Sequence, residues 1–173
     1  MEKLDALRQT LPDHSKDLKL NIQSVLSQSK LEAPRLWGCA LASAVATGDD
    51  ELVAATLADA EAAGVAAESL EDARAAASLM AMNNVYYRFR HFMGGSYDDL
   101  PARLRMNRIA RPASNKVDFE LFSLVVSAIN GCEMCVQSHE KVVIEGGVTR
   151  EQVHDAVRIG AVVAGLATGL RQR

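Results

Sequence analysis

What most constrains this chain is its rhythm: long alanine- and leucine-rich stretches are cut at intervals by clusters of Gly, Pro, Asn, Asp and Ser. No run of alternating apolar and polar residues lies between hairpin turns, so strands have no pattern to follow and the chain reads as all-α. The breaks fall at "LPDHS", "ATGDD", "AAGVAAES", "FMGGSYDDLPA", "RPASNK", "NG" and "EGGVTRE", where residues of these types cap, turn or stop helices. About eight helices fit between them, most of 10 to 20 residues. One of these, "SLEDARAAASLMAMNNVYYRFRHFM", reads as a long central helix with Leu70, Ala73, Ala77, Met80 and Val85 near one side. At 173 residues, 49% hydrophobic and 24% charged, the chain suits one buried core and is shorter than two typical domains require. A single domain over residues 1–173 is expected.

Self-similarity sharpens that expectation. "GVAAESLEDA" from Gly64 lines up with "GVTREQVHDA" from Gly147, an offset of 83 residues. Upstream, "LWGCALASAVATGDDEL" from Leu36 pairs at nearly the same offset with "LFSLVVSAINGCEMCV" from Leu121. Two related helical units, roughly residues 35–92 and 119–170, are expected to pack together. The first copy has Thr47 to Glu51 where the second has its cysteines, so the chemistry is expected in the second half alone.

Charge and targeting signals narrow the partners. The formal net charge is −3 and the Lys and Arg residues are scattered, which leaves no basic field for nucleic acid. The N-terminus has charges throughout and no central apolar block, unlike a secretory signal. The apolar run Ile159–Leu170 falls short of the roughly 20 residues that span a bilayer, so no membrane segment is expected and the location is expected to be cytoplasmic. Three cysteines are few for a fold held by disulfides, and a Cys-x-x-Cys pair in a reducing compartment is more often catalytic or metal-binding.

That pair lies in "NGCEMCVQSHE". If a helix restarts after Asn130-Gly131, Cys132 falls in its first turn, where open backbone N–H groups and the helix dipole favour a thiolate. Residues three and four apart share a helix face, so Cys132, Cys135 and His139 form a stripe in which His139 can hydrogen-bond Cys135 and take its proton. Cys135 is then the better nucleophile. Closing Cys132 to Cys135 needs a deformable turn, and such a bond suits a cycle more than a staple. Glu120 would lie about 28 Å from His139 along a straight helix. If Asn130-Gly131 folds the chain back, it reaches the imidazole and completes a Glu–His–Cys relay.

Plainer readings stand beside these. A zinc site would need Cys132, Cys135, His139 and a fourth ligand such as Glu120, whereas structural zinc usually draws on two separated knuckles and only one exists here. Cys39 reads as a buried structural cysteine. Trp37, Phe119, Phe122, Met80 and Met82 read as core, and Arg88, Arg90 and His91 as a solvated helix face. "MNNV" could line the thiol pocket or seal a subunit interface.

The pattern Glu120, eleven residues, Cys132, two, Cys135, three, His139 resembles the alkylhydroperoxidase D (AhpD) family, within the carboxymuconolactone decarboxylase-like superfamily. The likeness continues at "LKLNI", "MAMNNVYYRFRHF", "YDDL", "LRMN" and "FELFSLVVSAINGC". The resemblance implies an all-helical fold with an internal repeat and an oligomer, commonly a trimer. It also implies a thiol-dependent hydroperoxide and disulfide reductase. Cys135 would attack the peroxide, Cys132 would be the more exposed resolving thiol, His139 the base, and Glu120 the group that accepts or steers the proton. A sulfenic acid at Cys135 would condense with Cys132 to a redox-active disulfide. The implied reductant is a dihydrolipoyl group on a 2-oxoacid dehydrogenase component, with onward transfer to a partner peroxiredoxin, and no flavin, haem or metal is implied. Some members carry a histidine just before the second cysteine, where this chain has Met134 after Glu133. Glu120 and His139 would then have to suffice, with weaker direct peroxidase activity. Two alternatives are a carboxymuconolactone decarboxylase-like enzyme, against which the thiol pair argues, and a non-catalytic redox-sensing adaptor.

Overall fold

Helices begin and end in this chain where short polar or flexible residues satisfy backbone groups left open by the helix. Asn115 accepts a hydrogen bond from the Asp118 N–H, Asp49 from the Leu52 N–H, and Thr149 and Gln152 form a reciprocal capping box. The computed structural model describes all 173 residues. Its helices are α1 (Glu2–Gln9), α2 (Lys16–Ser27), α3 (Ala33–Thr47), α4 (Asp50–Ala62), α5 (Ala67–Phe92), α6 (Asn107–Ala110), α7 (Lys116–Ile129), α8 (Glu133–Glu145) and α9 (Arg150–Leu170), with a 3₁₀ turn at Asp13–Ser15. The fold is all-α, as expected. The count is nine where about eight were expected, because α6 is a single four-residue turn in the stretch between α5 and α7.

Helices α3 and α7 form the centre. Leu41 and Ala44 on α3, and Phe119, Phe122 and Val125 on α7, are all fully buried. Burying each of the larger side chains contributes about 1.5–3 kcal/mol. The two helices come close at Gly38, where an added Cβ would overlap the ring of Phe122. Helices α5 and α9 pack on this pair, and α8 lies along α7. Trp37, Phe119, Phe122 and Met80 are buried as expected, whereas Met82 is only half-buried.

One expected burial needs correction. On α5, Leu70, Ala73, Ala77 and Met80 are buried, but Val85 is 61% exposed and Asn84 takes its place at 1%. Steps of three and four from Met80 reach 83 and 84, and the fifth residue has turned away from the core. On α9, the helix runs on from Arg150, so by length and composition it is long and apolar enough to cross a membrane. Half of its most apolar window is buried, against α2, α3 and α7.

The helix starts keep one offset. Helices α3, α4 and α5 begin at residues 33, 50 and 67, and α7, α8 and α9 at 116, 133 and 150, each pair 83 apart. The upstream sequence match from Leu36 to Leu121 was thus two residues out of register, and Cys132 and Cys135 correspond to Asp49 and Leu52. Matching positions meet in space. Arg35 donates to Asp118 at 2.6 Å between α3 and α7. Asp72 on α5 accepts from the N–H groups of Ala113 and Ser114 at 2.9 and 2.7 Å, while its counterpart Asp155 on α9 accepts from the N–H of Lys30 at 2.8 Å. Each aspartate therefore ties down the segment leading into the other triplet of helices.

Candidate active site

Helix α7 ends in a tight stop that sets up everything after it. Gly131 adopts φ 66°, a left-handed conformation unfavourable for other residues, and its N–H donates to the Ala128 carbonyl at 3.2 Å. The next N–H, of Cys132, donates to the Ser127 carbonyl at 3.0 Å, completing a Schellman pair. The chain then turns directly into α8, antiparallel to α7.

Cys132 is the N-cap of α8 with extended backbone, φ −98° and ψ 92°, and not a member of its first turn as the sequence suggested. Cys135 is at the third helical position. An N-cap side chain normally leans over that position to meet its N–H, which is what Asp49 does to Leu52 at 2.9 Å in the matching place on α4. A sulfur at the N-cap is therefore delivered to the side chain at the third position. The two cysteines are joined by a disulfide with Cα atoms 5.3 Å apart, inside the usual range. When reduced, either sulfur lies at the positive end of the α8 dipole, which favours a thiolate.

The fold-back brings Glu120 on α7 to His139 on α8, with Oε2 2.6 Å from Nδ1. Glu120 is 5% exposed, so its carboxylate and the imidazole meet out of bulk water. Nε2 of His139 faces the sulfur of Met80 on α5 at 3.3 Å. No hydrogen bond joins His139 to Cys135 in this disulfide-linked state, where the Cys135 sulfur is held toward Cys132 and has no thiol proton to share. Both residues line one cavity of about 330 Å³, together with Asn83, Ser138 and an apolar wall that includes Tyr87, Met106 and Met134. The expected order of exposure is reversed: Cys132 is 1% exposed and Cys135 7%. Of the two, only Cys135 lines the cavity.

The clamp that holds this turn is not legible in the sequence. Asn84 donates to the Ser127 hydroxyl at 2.9 Å and accepts from the Asn130 side chain at 2.9 Å. Arg88 donates to the Asn130 carbonyl, so it is not a free solvated residue. Arg90 is also engaged, donating to Asp98 at 2.6 Å, and His91 lies 3.8 Å from Glu133. The available signal was two asparagines on the buried stripe of a helix, where their polar side chains need partners. "MNNV" has split roles: Asn83 lines the cavity and Asn84 anchors the turn.

Cys39 is fully buried on α3 and unpaired. Burial, reinforced by the nearby Asp118 carboxylate, pushes its thiol pKa far up, so it stays protonated and unreactive. No three His, Cys, Asp or Glu side chains converge in a way that would hold a metal ion.

Paired sulfurs at the start of a helix, beside a buried carboxylate–imidazole couple, define an all-helical dithiol protein. The carboxymuconolactone decarboxylase family model matches residues 96–170, which take in α7 to α9. Alkyl hydroperoxide reductase AhpD of Anaeromyxobacter dehalogenans is 57% identical, over 98% of this chain and 91% of its own length. AhpD of Gluconacetobacter diazotrophicus is 49% identical over 96% and 92%, and that of Mycobacteroides abscessus 48% over 96% and 95%. The chain belongs to the AhpD family, within the carboxymuconolactone decarboxylase-like superfamily.

Proposed function

We propose that this protein is an alkyl hydroperoxide reductase that works through its Cys132–Cys135 pair. The observation that carries the reading is the Glu120–His139 contact of 2.6 Å, in a cavity shared with Cys135. His139, oriented by Glu120, takes the Cys135 thiol proton. The thiolate attacks the terminal oxygen of a hydroperoxide, an S–O bond forms as the O–O bond breaks, and the leaving alkoxide takes the proton back from the imidazole. Cys135 is left as a sulfenic acid; the Cys132 thiol attacks its sulfur, the S–S bond forms as the S–OH bond breaks, and the hydroxyl leaves as water with the thiol proton. A dithiol then donates two electrons and two protons and restores both thiols.

A dihydrolipoyl group on a 2-oxoacid dehydrogenase component fits as that dithiol, since the apolar wall of Met106, Ile109 and Met134 suits an aliphatic arm. The relatives' names point to hydroperoxide as substrate. Transfer to a partner peroxiredoxin, assembly as a homotrimer, a cytoplasmic location and a cycle without bound cofactor complete the reading. The architecture belongs to it too: one AhpD-like domain over 1–173, with related halves at roughly 35–92 and 119–170.

Hydroperoxide consumption with dihydrolipoamide as reductant tests the proposal. Steady turnover that disappears in Cys135→Ser is expected. A lactone decarboxylase or a redox sensor predicts no dithiol-dependent turnover, and that result would overturn the reading.

A further inference from the structure

The Asn83 side chain makes no hydrogen bond within the fold. It is 4% exposed on α5, and its Oδ1 is buried without a hydrogen-bond partner. Its neighbour Asn84, as deeply buried, is engaged at both ends of its carboxamide. A buried acceptor left unpaired lowers stability, and asparagine is a weaker helix former than leucine or methionine at the same place. Such a group persists where something outside the fold completes it. Asn83 lines the cavity that holds Cys135 and His139.

We propose that the Asn83 carboxamide binds the hydroperoxide and holds its terminal oxygen for attack. This rests on the peroxidase reading above. A carboxamide presents its oxygen by a turn about χ2, a broad torsion. Oδ1 accepts the O–H of the terminal peroxide oxygen, which keeps that hydrogen throughout the step. The Cys135 thiolate supplies the electron pair to the same oxygen, the S–O bond forms, the O–O bond breaks, and the alkoxide leaves with the proton carried by His139. The organic group points toward Met106 and Ile109. A hydroperoxide O–H is a strong donor and a thiol S–H a weak one, so Asn83 serves the oxidative half of the cycle and not the reductive half.

The experiment measures the two halves separately in Asn83→Leu. Rapid mixing of the reduced protein with tert-butyl hydroperoxide should give a second-order rate constant about 10- to 100-fold below wild type. Reduction of the oxidised variant by dihydrolipoamide should stay within about twofold of wild type, and the melting temperature should hold or rise, because an unpaired polar group has been removed. Where leucine does not fit, Asn83→Ala should show the same split between half-reactions. An unchanged peroxide rate in a folded variant overturns the proposal, as does an equal fall in both halves. A wild type inert to hydroperoxide overturns the peroxidase reading itself and this inference with it.

Discussion

At the scale of single residues, the proposed cycle divides its steps among four side chains of the α7–α8 hairpin. Glu120 hydrogen-bonds His139, and of the two cysteines Cys135 lines the cavity while Cys132 is the more buried. Replacing Glu120 by Gln keeps the shape and removes the charge that supports an imidazolium. Attack on hydroperoxide should slow about 100-fold, read by stopped-flow fluorescence, with the melting curve little changed. In the proposed cycle, Cys132→Ser removes the resolving sulfur and leaves the attacking one. One equivalent of peroxide should be consumed, leaving a sulfenic acid that dimedone traps in a mass spectrum, and normal turnover in this variant would assign the resolving role elsewhere.

At the scale of elements, the α7–α8 hairpin carries Glu120, Cys132, Cys135 and His139, and α5 braces its turn. Gly131→Ala forces a Cβ into the left-handed region at φ 66° and should destabilise the fold by about 1–2 kcal/mol, measured by urea denaturation. Asn84→Ala leaves the Ser127 hydroxyl and the Asn130 carboxamide short of a partner, at a cost of about 1–3 kcal/mol. Peroxidase activity should fall in the same variant, because the turn that aims Cys132 at Cys135 loses its clamp. The helices themselves were legible from their punctuation, and so were Cys135 and His139 one turn apart. Glu120 depended on a fold-back that the Asn130-Gly131 pair permits and the packing of α8 on α7 enforces. The roles of Asn83, Asn84 and Met80 were not legible, since a stripe of period 3.6 says which positions are buried and not which of their atoms find partners.

At the scale of the whole molecule, buried aspartates bind the two triplets of helices together, and that makes stability depend on acid. Burial alone would raise the Asp72 pKa, but the N–H groups of Ala113 and Ser114, the Ser114 hydroxyl and Arg108 together hold it below the usual carboxylate value. A depressed folded pKa means that the unfolded chain binds the proton first. The contribution is therefore complete above about pH 4, the ordinary range for an aspartate, and is lost as pH falls through the lower folded value. Asp72→Asn should cost about 1–3 kcal/mol at neutral pH and flatten the loss of stability below pH 4, read from urea midpoints across pH.

By itself the sequence determined an all-helical chain, the spacing of its breaks, a recurring offset, and a Cys-x-x-Cys pair with a histidine one turn on. These are local or periodic properties, carried by residues close together along the chain. Only the tertiary structure decided that Cys132 is the more buried sulfur, that Met80 faces the imidazole, that Asn84 clamps the turn and that Asn83 is left without a partner. Those facts arise between helices remote in sequence, where close packing chooses which atoms meet.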